Sequence, residues 1–236
     1  MAVKQSRPNK PEQEHVYESP EALRERLTRG EAFFEKNRKW VFILGGIIAL
    51  AIAGLFAYNY WQDRQSQQAQ EEMFQAQFYF EADDLDRALK GDGNYPGFLE
   101  IANNYGSTDA GNLAQFYTGL IYLKKGEYQQ AIDYLEDFSS DDLLVQARAY
   151  ALTGDAYMEL KQYGKAAELY SEAANYKTNK FFSPIYLEKA AIAHELAGNN
   201  QAALERYTEI TEKYYGANEY ENARKQKAKL EAMASK

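Results

Sequence analysis

The hydrophobic positions of this 236-residue chain follow two patterns that divide it into unequal parts. From Trp40 to Trp61 there are 22 consecutive residues without a charge, whereas beyond residue 62 the apolar residues recur with the three- to four-residue period of amphipathic helices. No long series of short segments shows the two-residue alternation typical of strands. The pattern therefore predicts an all-α protein with one long apolar helix near the N-terminus and a helical C-terminal region.

The apolar segment 40–61 has the dimensions of a membrane-spanning helix. At about 1.5 Å per residue, its 22 residues approach the roughly 30 Å thickness of a bilayer's hydrocarbon core. Trp40 lies at one end, and Tyr58, Tyr60 and Trp61 lie at the other, as in the aromatic belts of membrane proteins. A cleaved signal peptide has a short basic leader and an apolar region of roughly 7 to 15 residues, whereas 39 residues precede this longer one. We therefore expect residues 40–61 to form an uncleaved signal anchor, a single transmembrane helix.

The charges that flank this segment predict its orientation. Only Arg64 is basic within the 20 residues that follow the segment, against six basic residues in the 20 that precede it: Arg24, Arg26, Arg29, Lys36, Arg38 and Lys39. The positive-inside bias then places the N-terminus in the cytoplasm. We expect a single-pass protein of a bacterial inner membrane, with its C-terminal region in the periplasm.

The part of the chain before the anchor has two expected segments. Residues 1–18 mix charges, Gln and Pro with few apolar side chains, so we expect a disordered cytoplasmic tail. Ser19, Pro20 and Glu21 then provide an N-cap, a proline at the first helical position and an acid in the first turn. Residues 19–39 are predicted to form a cytoplasmic amphipathic helix along the membrane surface, and docking to a cytoplasmic protein is the alternative.

One face of the predicted membrane helix carries a small residue at every fourth position: Gly45, Ala49, Ala53 and Ala57. Such a ladder lets another helix approach closely. Gly and Ala are also common in membrane helices that have no partner. A packing face for another helix and an ordinary composition are therefore both open interpretations. These four residues are a candidate membrane-helix packing face.

Three copies of one pattern follow the anchor. Residues 119–138 (GLIYLKKGEYQQAIDYLEDF) align with residues 154–173 (GDAYMELKQYGKAAELYSEA) and, 37 residues later, with residues 191–210 (AIAHELAGNNQAALERYTEI). Each copy begins with a small residue, has Tyr or His three positions later, Ala nine positions further on, and Leu or Tyr four beyond that. This spacing resembles the tetratricopeptide repeat (TPR), a helix–turn–helix unit of about 34 residues.

The resemblance implies a TPR-type helical solenoid over residues 62–236. The pattern reflects packing rather than chemistry, since small residues such as Gly119 and Gly154 let neighbouring helices approach closely. The charged C-terminal segment is expected to cap the stack with a polar outer face. The expected parts are a degenerate repeat at 70–106, repeats at 112–145, 147–180 and 184–216, and a capping helix at 218–234.

The composition argues against most kinds of chemistry. The chain carries 27 basic and 35 acidic residues and no Cys, and residues 62–236 have a net charge of −10. An acidic balance argues against nucleic-acid binding, and the absence of Cys excludes thiol nucleophiles and Cys-type metal sites. Of the two histidines, His15 lies in the tail and His194 takes an aromatic position of the repeat. We therefore expect no enzyme activity, cofactor, metal or small-molecule substrate.

Binding of other proteins is the function that these exclusions leave. The concave face of a solenoid, lined by the first helix of each repeat, is its usual binding site. The set expected on this face is an apolar groove rimmed by acids, although neighbouring helices could instead cover Leu113 and Leu120. On the repeat alignment the candidates are Leu113, Phe116, Leu120, Leu123, Arg148, Asp155, Met158, Glu159, Ile185, Glu188, Ile192 and Glu195.

A cytoplasmic tail, one uncleaved membrane helix and a periplasmic repeat domain, in this order and at this length, resemble the YfgM-like family of single-pass TPR proteins. The resemblance covers roughly residues 20–236. It implies a non-catalytic, chaperone-like ancillary subunit of the SecYEG translocon, with a membrane-anchored periplasmic prolyl isomerase as a partner in protein translocation. The alternative is a scaffold of another cell-envelope complex, for outer-membrane assembly, secretion or cell-wall synthesis.

Overall fold

The computed structural model describes residues 20–235, and their side chains from residue 35 onward. The chain divides into two compact units, Met1–Asn59 and Tyr60–Lys236. The predicted disordered tail 1–18 and the N-cap at Ser19 lie outside the described residues, as do the side chains of the predicted amphipathic helix before residue 35. Across the described residues every regular element is an α-helix, which confirms the all-α prediction.

The first helix, α1 (Pro20–Glu81), is 62 residues long and has non-helical backbone angles at Asn37. In the first unit the most apolar segment of this helix is fully exposed. Such outward-facing apolar surface is unfavourable in water, and the length and composition of the segment are compatible with a single-pass membrane anchor. Its exposed large apolar side chains are Trp40, Phe42, Ile43, Leu44, Ile47, Ile48, Leu50, Ile52, Leu55, Phe56 and Tyr58.

In the second unit the last turns of α1 are followed by shorter helices, and from α2 onward each packs against the next along the chain. Their bounds are α2 Leu85–Lys90, α3 Phe98–Tyr105, α4 Asp109–Lys125, α5 Tyr128–Asp137, α6 Leu143–Glu159, α7 Tyr163–Asn175, α8 Ser183–Leu196, α9 Asn200–Lys213 and α10 Tyr220–Ala234. The pairs α4–α5, α6–α7 and α8–α9 correspond in position to the three regular repeats, and α10 corresponds to the cap.

One type of turn recurs between the paired helices. Its left-handed residue is Gly126 in the first pair and Gly198 in the third, but Lys161 in the second and Asp83 after α1. In each case the next residue donates its N–H to the carbonyl five positions upstream, which satisfies an acceptor at the helix end. The turn after α1 is therefore of the same type as the turns between the paired helices, and the predicted degenerate repeat at 70–106 stays a prediction. The donor–acceptor pairs are Asp84–Tyr79, Glu127–Tyr122, Gln162–Tyr157 and Asn199–His194.

Small residues at two recurrent positions set the spacing between paired helices. A methyl group added to Gly119 would lie 2.6 Å from Leu135 Cγ, and one added to Gly154 would lie 2.8 Å from Tyr170 Cε1. The helices of these two pairs are therefore packed too closely for a Cβ at the glycine. The buried small residues are Ala76, Gly119, Gly154 and Ala191 on the first helices, and Ala88, Ala131, Ala166 and Ala203 on the second helices.

Candidate protein-binding face

The groove residues predicted for the first repeat lie against other helices. Phe116 on α4 is only 7% exposed and contacts Phe138, with 5.2 Å between the ring centroids. Leu113 and Leu120 pack against the same buried cluster, which includes Ala149 of α6. The prediction that Phe116 lines an open groove is therefore wrong, because α6 packs over this face of α4. For Leu113 and Leu120 the observed arrangement is the alternative one, in which neighbouring helices cover them.

The groove residues predicted for the second and third repeats are more accessible. Arg148 and Glu159 of α6 are exposed, as are Ile185 and Ile192 of α8. The accessible part of the predicted groove therefore lies on α6 and α8 and mixes charged with apolar side chains. The half-buried members are Leu123, Asp155, Met158, Glu188 and Glu195.

Asp155 connects three helices. Its Oδ1 atom accepts a hydrogen bond from the Tyr170 hydroxyl of α7 at 2.5 Å and another from Lys189 Nζ of α8 at 2.7 Å. Burial, and then the hydrogen bond to Asp155, raise the pKa of Tyr170 above its ordinary value. Tyr170 therefore stays protonated at neutral pH and donates to this carboxylate.

Two acids of α8 are held in a similar way by the helices that follow. Glu195 accepts a hydrogen bond from the Tyr207 hydroxyl of α9 at 2.7 Å and lies 3.6 Å from Lys229 Nζ of α10. Glu188 accepts a hydrogen bond from Asn222 Nδ2 of α10 at 2.5 Å. Burial, and then the bond to Glu195, raise the pKa of Tyr207. Three of the four acids predicted to rim the groove are thus engaged with neighbouring helices.

The partners of these acids were not predicted, although the sequence contains a signal for them. A separation of 34 residues is close to the length of one repeat, so it brings the first helix of one repeat against the first helix of the next. Charge-complementary or hydrogen-bonding residues at this separation therefore indicate contacts between repeats. The pairs separated by 34 residues are Asp155–Lys189, Glu188–Asn222 and Glu195–Lys229.

An apolar stripe on α8 was only partly predicted. Ile185, Ile192 and Leu196 are all exposed, and their spacing of seven and four residues places them on one helix face. Leu196, the last residue of the helix, was not among the predicted groove residues. We call these three residues the α8 stripe. With Arg148 and Glu159, the α8 stripe forms the accessible candidate binding face.

His194 and the acidic residues are the side chains to consider for acid–base chemistry and metal binding. His194 is half-buried, and burial followed by the nearby Arg206 lowers its pKa, so the imidazole is neutral at neutral pH. In the part of the chain that the structure describes, no three His, Asp or Glu side chains converge to hold a metal ion.

The turns and buried small residues repeat across consecutive helical pairs, as expected of one repeated unit. Residues 118–180 match the tetratricopeptide repeat family. No curated protein matches the chain. The matched segment covers most of α4, together with α5, α6 and α7. TPR units are generally non-catalytic modules that bind other proteins, and the match therefore suggests a protein-interaction scaffold for this part of the chain.

The match also bears on the fold predicted from the sequence. It confirms an all-α protein in which a long apolar N-terminal helix is followed by a TPR-type solenoid. It does not extend to the YfgM-like family, which stays a prediction.

Proposed function

We propose that the protein is a non-catalytic, membrane-anchored adaptor that acts as a chaperone-like ancillary subunit of the SecYEG translocon. The observation that carries this proposal is the succession of an exposed apolar helix and a TPR solenoid in one chain. The helix anchors the protein in the membrane, and the repeats provide a surface for partner proteins. The translocon is chosen because the order of the segments resembles that of the YfgM-like family. The same resemblance suggests a membrane-anchored prolyl isomerase as the second partner.

The proposed topology places the repeats in the periplasm of a bacterial inner membrane. Six basic residues before the apolar segment against one after it support a cytoplasmic N-terminus. On this topology the candidate binding face meets proteins as they emerge from the translocon. The exposed residues Ile185, Ile192 and Leu196 would contact apolar side chains of those partners, with Arg148 and Glu159 at the edge.

The anchor is proposed to contribute to binding as well. Gly45, Ala49, Ala53 and Ala57 are all exposed, and a Cβ built on Gly45 would meet nothing within 4 Å. Small exposed residues at this spacing support close packing against a helix of the translocon, with lipid as the alternative neighbour.

The test is purification of the full-length protein from native membranes in a mild detergent, with mass spectrometry of the proteins that remain bound. Three bait proteins are compared: the full chain, the full chain with residues 40–61 replaced by an unrelated membrane span, and an exported version of residues 60–236. We expect SecYEG and a periplasmic prolyl isomerase to be enriched with the full chain. A weaker enrichment with the replaced span would assign part of the binding to the anchor. Enrichment of a different envelope complex, without SecYEG, would overturn the translocon assignment in favour of another scaffold.

A further inference from the structure

A cleft of about 520 Å³ lies where the loop before α8 meets the loop between α9 and α10. Phe181 and Tyr215 line it and are 74% and 79% exposed, the highest values among the large apolar side chains described in the second unit. Ile185 contributes from the start of α8, and the buried Tyr214 contributes from the end of α9. Two highly exposed aromatic side chains that line one cleft are typical of a surface that binds another protein.

The corresponding cleft of the preceding repeat is bridged by polar contacts. It lies between the α5–α6 loop and the end of α7 and has a volume of about 620 Å³. There the Tyr176 hydroxyl donates to the Ser140 carbonyl at 2.8 Å, and Lys177 Nζ donates to the Asp141 carbonyl. These bonds hold the end of α7 against the loop of the repeat before it.

The third repeat lacks these bridges. Tyr214 and Tyr215 directly follow α9, whereas Tyr176 and Lys177 directly follow α7, which is one residue shorter. The Tyr215 ring packs edge-on against Tyr220, with 5.0 Å between the centroids, and most of its surface stays open. The segment after α9 thus carries an exposed aromatic side chain that is available to a partner, whereas the segment after α7 carries a lysine bound to the loop of the repeat before it.

The charge of the cleft differs from that of the domain around it. Residues 62–236 carry a net charge of −10, yet the ionisable groups that line the cleft are Lys180, Lys213 and Glu219. Lys213 donates to Glu209 of the preceding turn at 2.9 Å. Among the described residues Lys180 has no ion-pair partner. The cleft therefore presents two ammonium groups and one carboxylate beside exposed aromatic rings, on a domain whose net charge is negative.

We propose that this cleft, defined by Lys180, Phe181, Ile185, Tyr214 and Tyr215, binds a segment of a partner protein in which a bulky apolar side chain lies next to a carboxylate. The apolar side chain packs on the aromatic rings and Ile185, and the carboxylate pairs with Lys180. A cleft of about 520 Å³ is large enough for one or two side chains and too small for a folded domain. The net negative charge of the domain repels a carboxylate of the partner at other places on its surface. Lys180 attracts that carboxylate in the cleft and so sets the preference for this charge.

This site goes beyond the proposed adaptor role, because it assigns a second binding surface away from α6 and most of the α8 stripe. It also needs no translocon, so the two proposals can fail independently. The test uses the full-length protein in a mild detergent and two heptapeptides labelled with tetramethylrhodamine. One has the sequence Gly-Ser-Phe-Asp-Asp-Ser-Gly, and its matched control has two Lys in place of the two Asp. Fluorescence polarisation at low salt gives the affinities.

We expect the Asp peptide to bind saturably and at least about tenfold more tightly than the Lys peptide. Phe181→Ser should weaken binding of the Asp peptide by about tenfold, whereas the matched control Phe74→Ser, at a side chain 72% exposed on α1, should leave it unchanged. Lys180→Glu should remove the preference between the two peptides. Absence of saturable binding, equal affinity for both peptides, or an equal loss with Phe181→Ser and Phe74→Ser would overturn the proposal.

Discussion

Lys189 of α8 and Asp155 of α6 form an ion pair at 2.7 Å that links the first helices of two consecutive repeats. The same carboxylate also accepts the hydrogen bond of Tyr170, so one acid connects the two helices of its own repeat and the helix of the next. Glu195 repeats this arrangement with Tyr207 and Lys229. Two of the acids predicted to rim the binding groove are therefore part of the contacts that hold the repeats in register.

Removal of the Asp155 carboxylate should destabilise the domain. In Asp155→Ala the Tyr170 hydroxyl loses its acceptor in a buried setting, which costs about 1–3 kcal/mol. Urea unfolding of the purified protein, followed by far-UV circular dichroism, measures the change. Glu159→Ala on the same helix is the matched control, because Glu159 is exposed and such changes stay within about 0.5 kcal/mol. Equal unfolding midpoints for the two variants would contradict a structural role for Asp155.

The two buried tyrosines predict how stability depends on alkaline pH. The pKa values of Tyr170 and Tyr207 are raised above 10.0 by burial and by their carboxylate partners. Below pH 10 both tyrosines are protonated in the folded and unfolded states, and their contribution is fully present. Above pH 10 the unfolded state loses these protons while the folded state keeps them, so stability falls by about 1.4 kcal/mol per pH unit for each tyrosine.

The variant with both Tyr170→Phe and Tyr207→Phe should therefore be less stable at pH 8 but lose less stability between pH 10 and pH 11. Urea midpoints of the wild type and the double variant across this range provide the comparison. Tyr215→Phe is the control, because the Tyr215 side chain is exposed and, among the described residues, makes no carboxylate hydrogen bond of the kind made by Tyr170 and Tyr207. Parallel pH profiles for the wild type and the double variant would refute the assignment.

The repeated unit could be predicted from the sequence because its determinants are local and recurrent. Ala131, Ala166 and Ala203 are fully buried, as their recurrence in the alignment indicates. The exposure of Phe116 could not be predicted in the same way. Whether a residue on α4 faces solvent depends on how far α6 rotates over α4, and this rotation is set by contacts between repeats rather than by the periodicity of one helix.

The polar contacts and the aromatic cleft were missed for related reasons. Asp155 and Lys189 are far apart in the chain, and only the repeat length brings them together. Phe181 and Tyr215 lie in two loops outside the aligned pattern, where periodicity carries no information. Comparing the residues that follow α7 with those that follow α9 would have shown that the third repeat departs from the second.

The two helical glycines Gly154 and Gly164 should respond in opposite ways to the same substitution. In Gly154→Ala the new methyl group would lie 2.8 Å from Tyr170 Cε1, and overpacking of this kind costs about 1–3 kcal/mol. In Gly164→Ala nothing lies within 4 Å of the methyl group, so reduced freedom of the unfolded chain should stabilise the protein by about 0.5 kcal/mol. Thermal unfolding of both variants beside the wild type tests the pair. A stabilised Gly154→Ala protein would mean that the α6–α7 packing is looser than described.

Phe116 and Ile192 were both predicted for the groove, but substitutions at the two positions should have different effects because Phe116 is buried and Ile192 is exposed. Phe116→Ala removes a ring packed against Phe138 and should destabilise the protein by about 3–5 kcal/mol. Ile192→Ala, on the exposed α8 stripe, should change stability by less than about 0.5 kcal/mol. The same Ile192→Ala protein should recover less partner protein from native membranes, because its exposed side chain contributes contact area rather than fold stability. Urea unfolding and quantitative mass spectrometry of bound proteins, done on the same preparations, measure both effects. Full partner recovery with Ile192→Ala, and also with Ile185→Ala, would exclude the α8 stripe as the binding face.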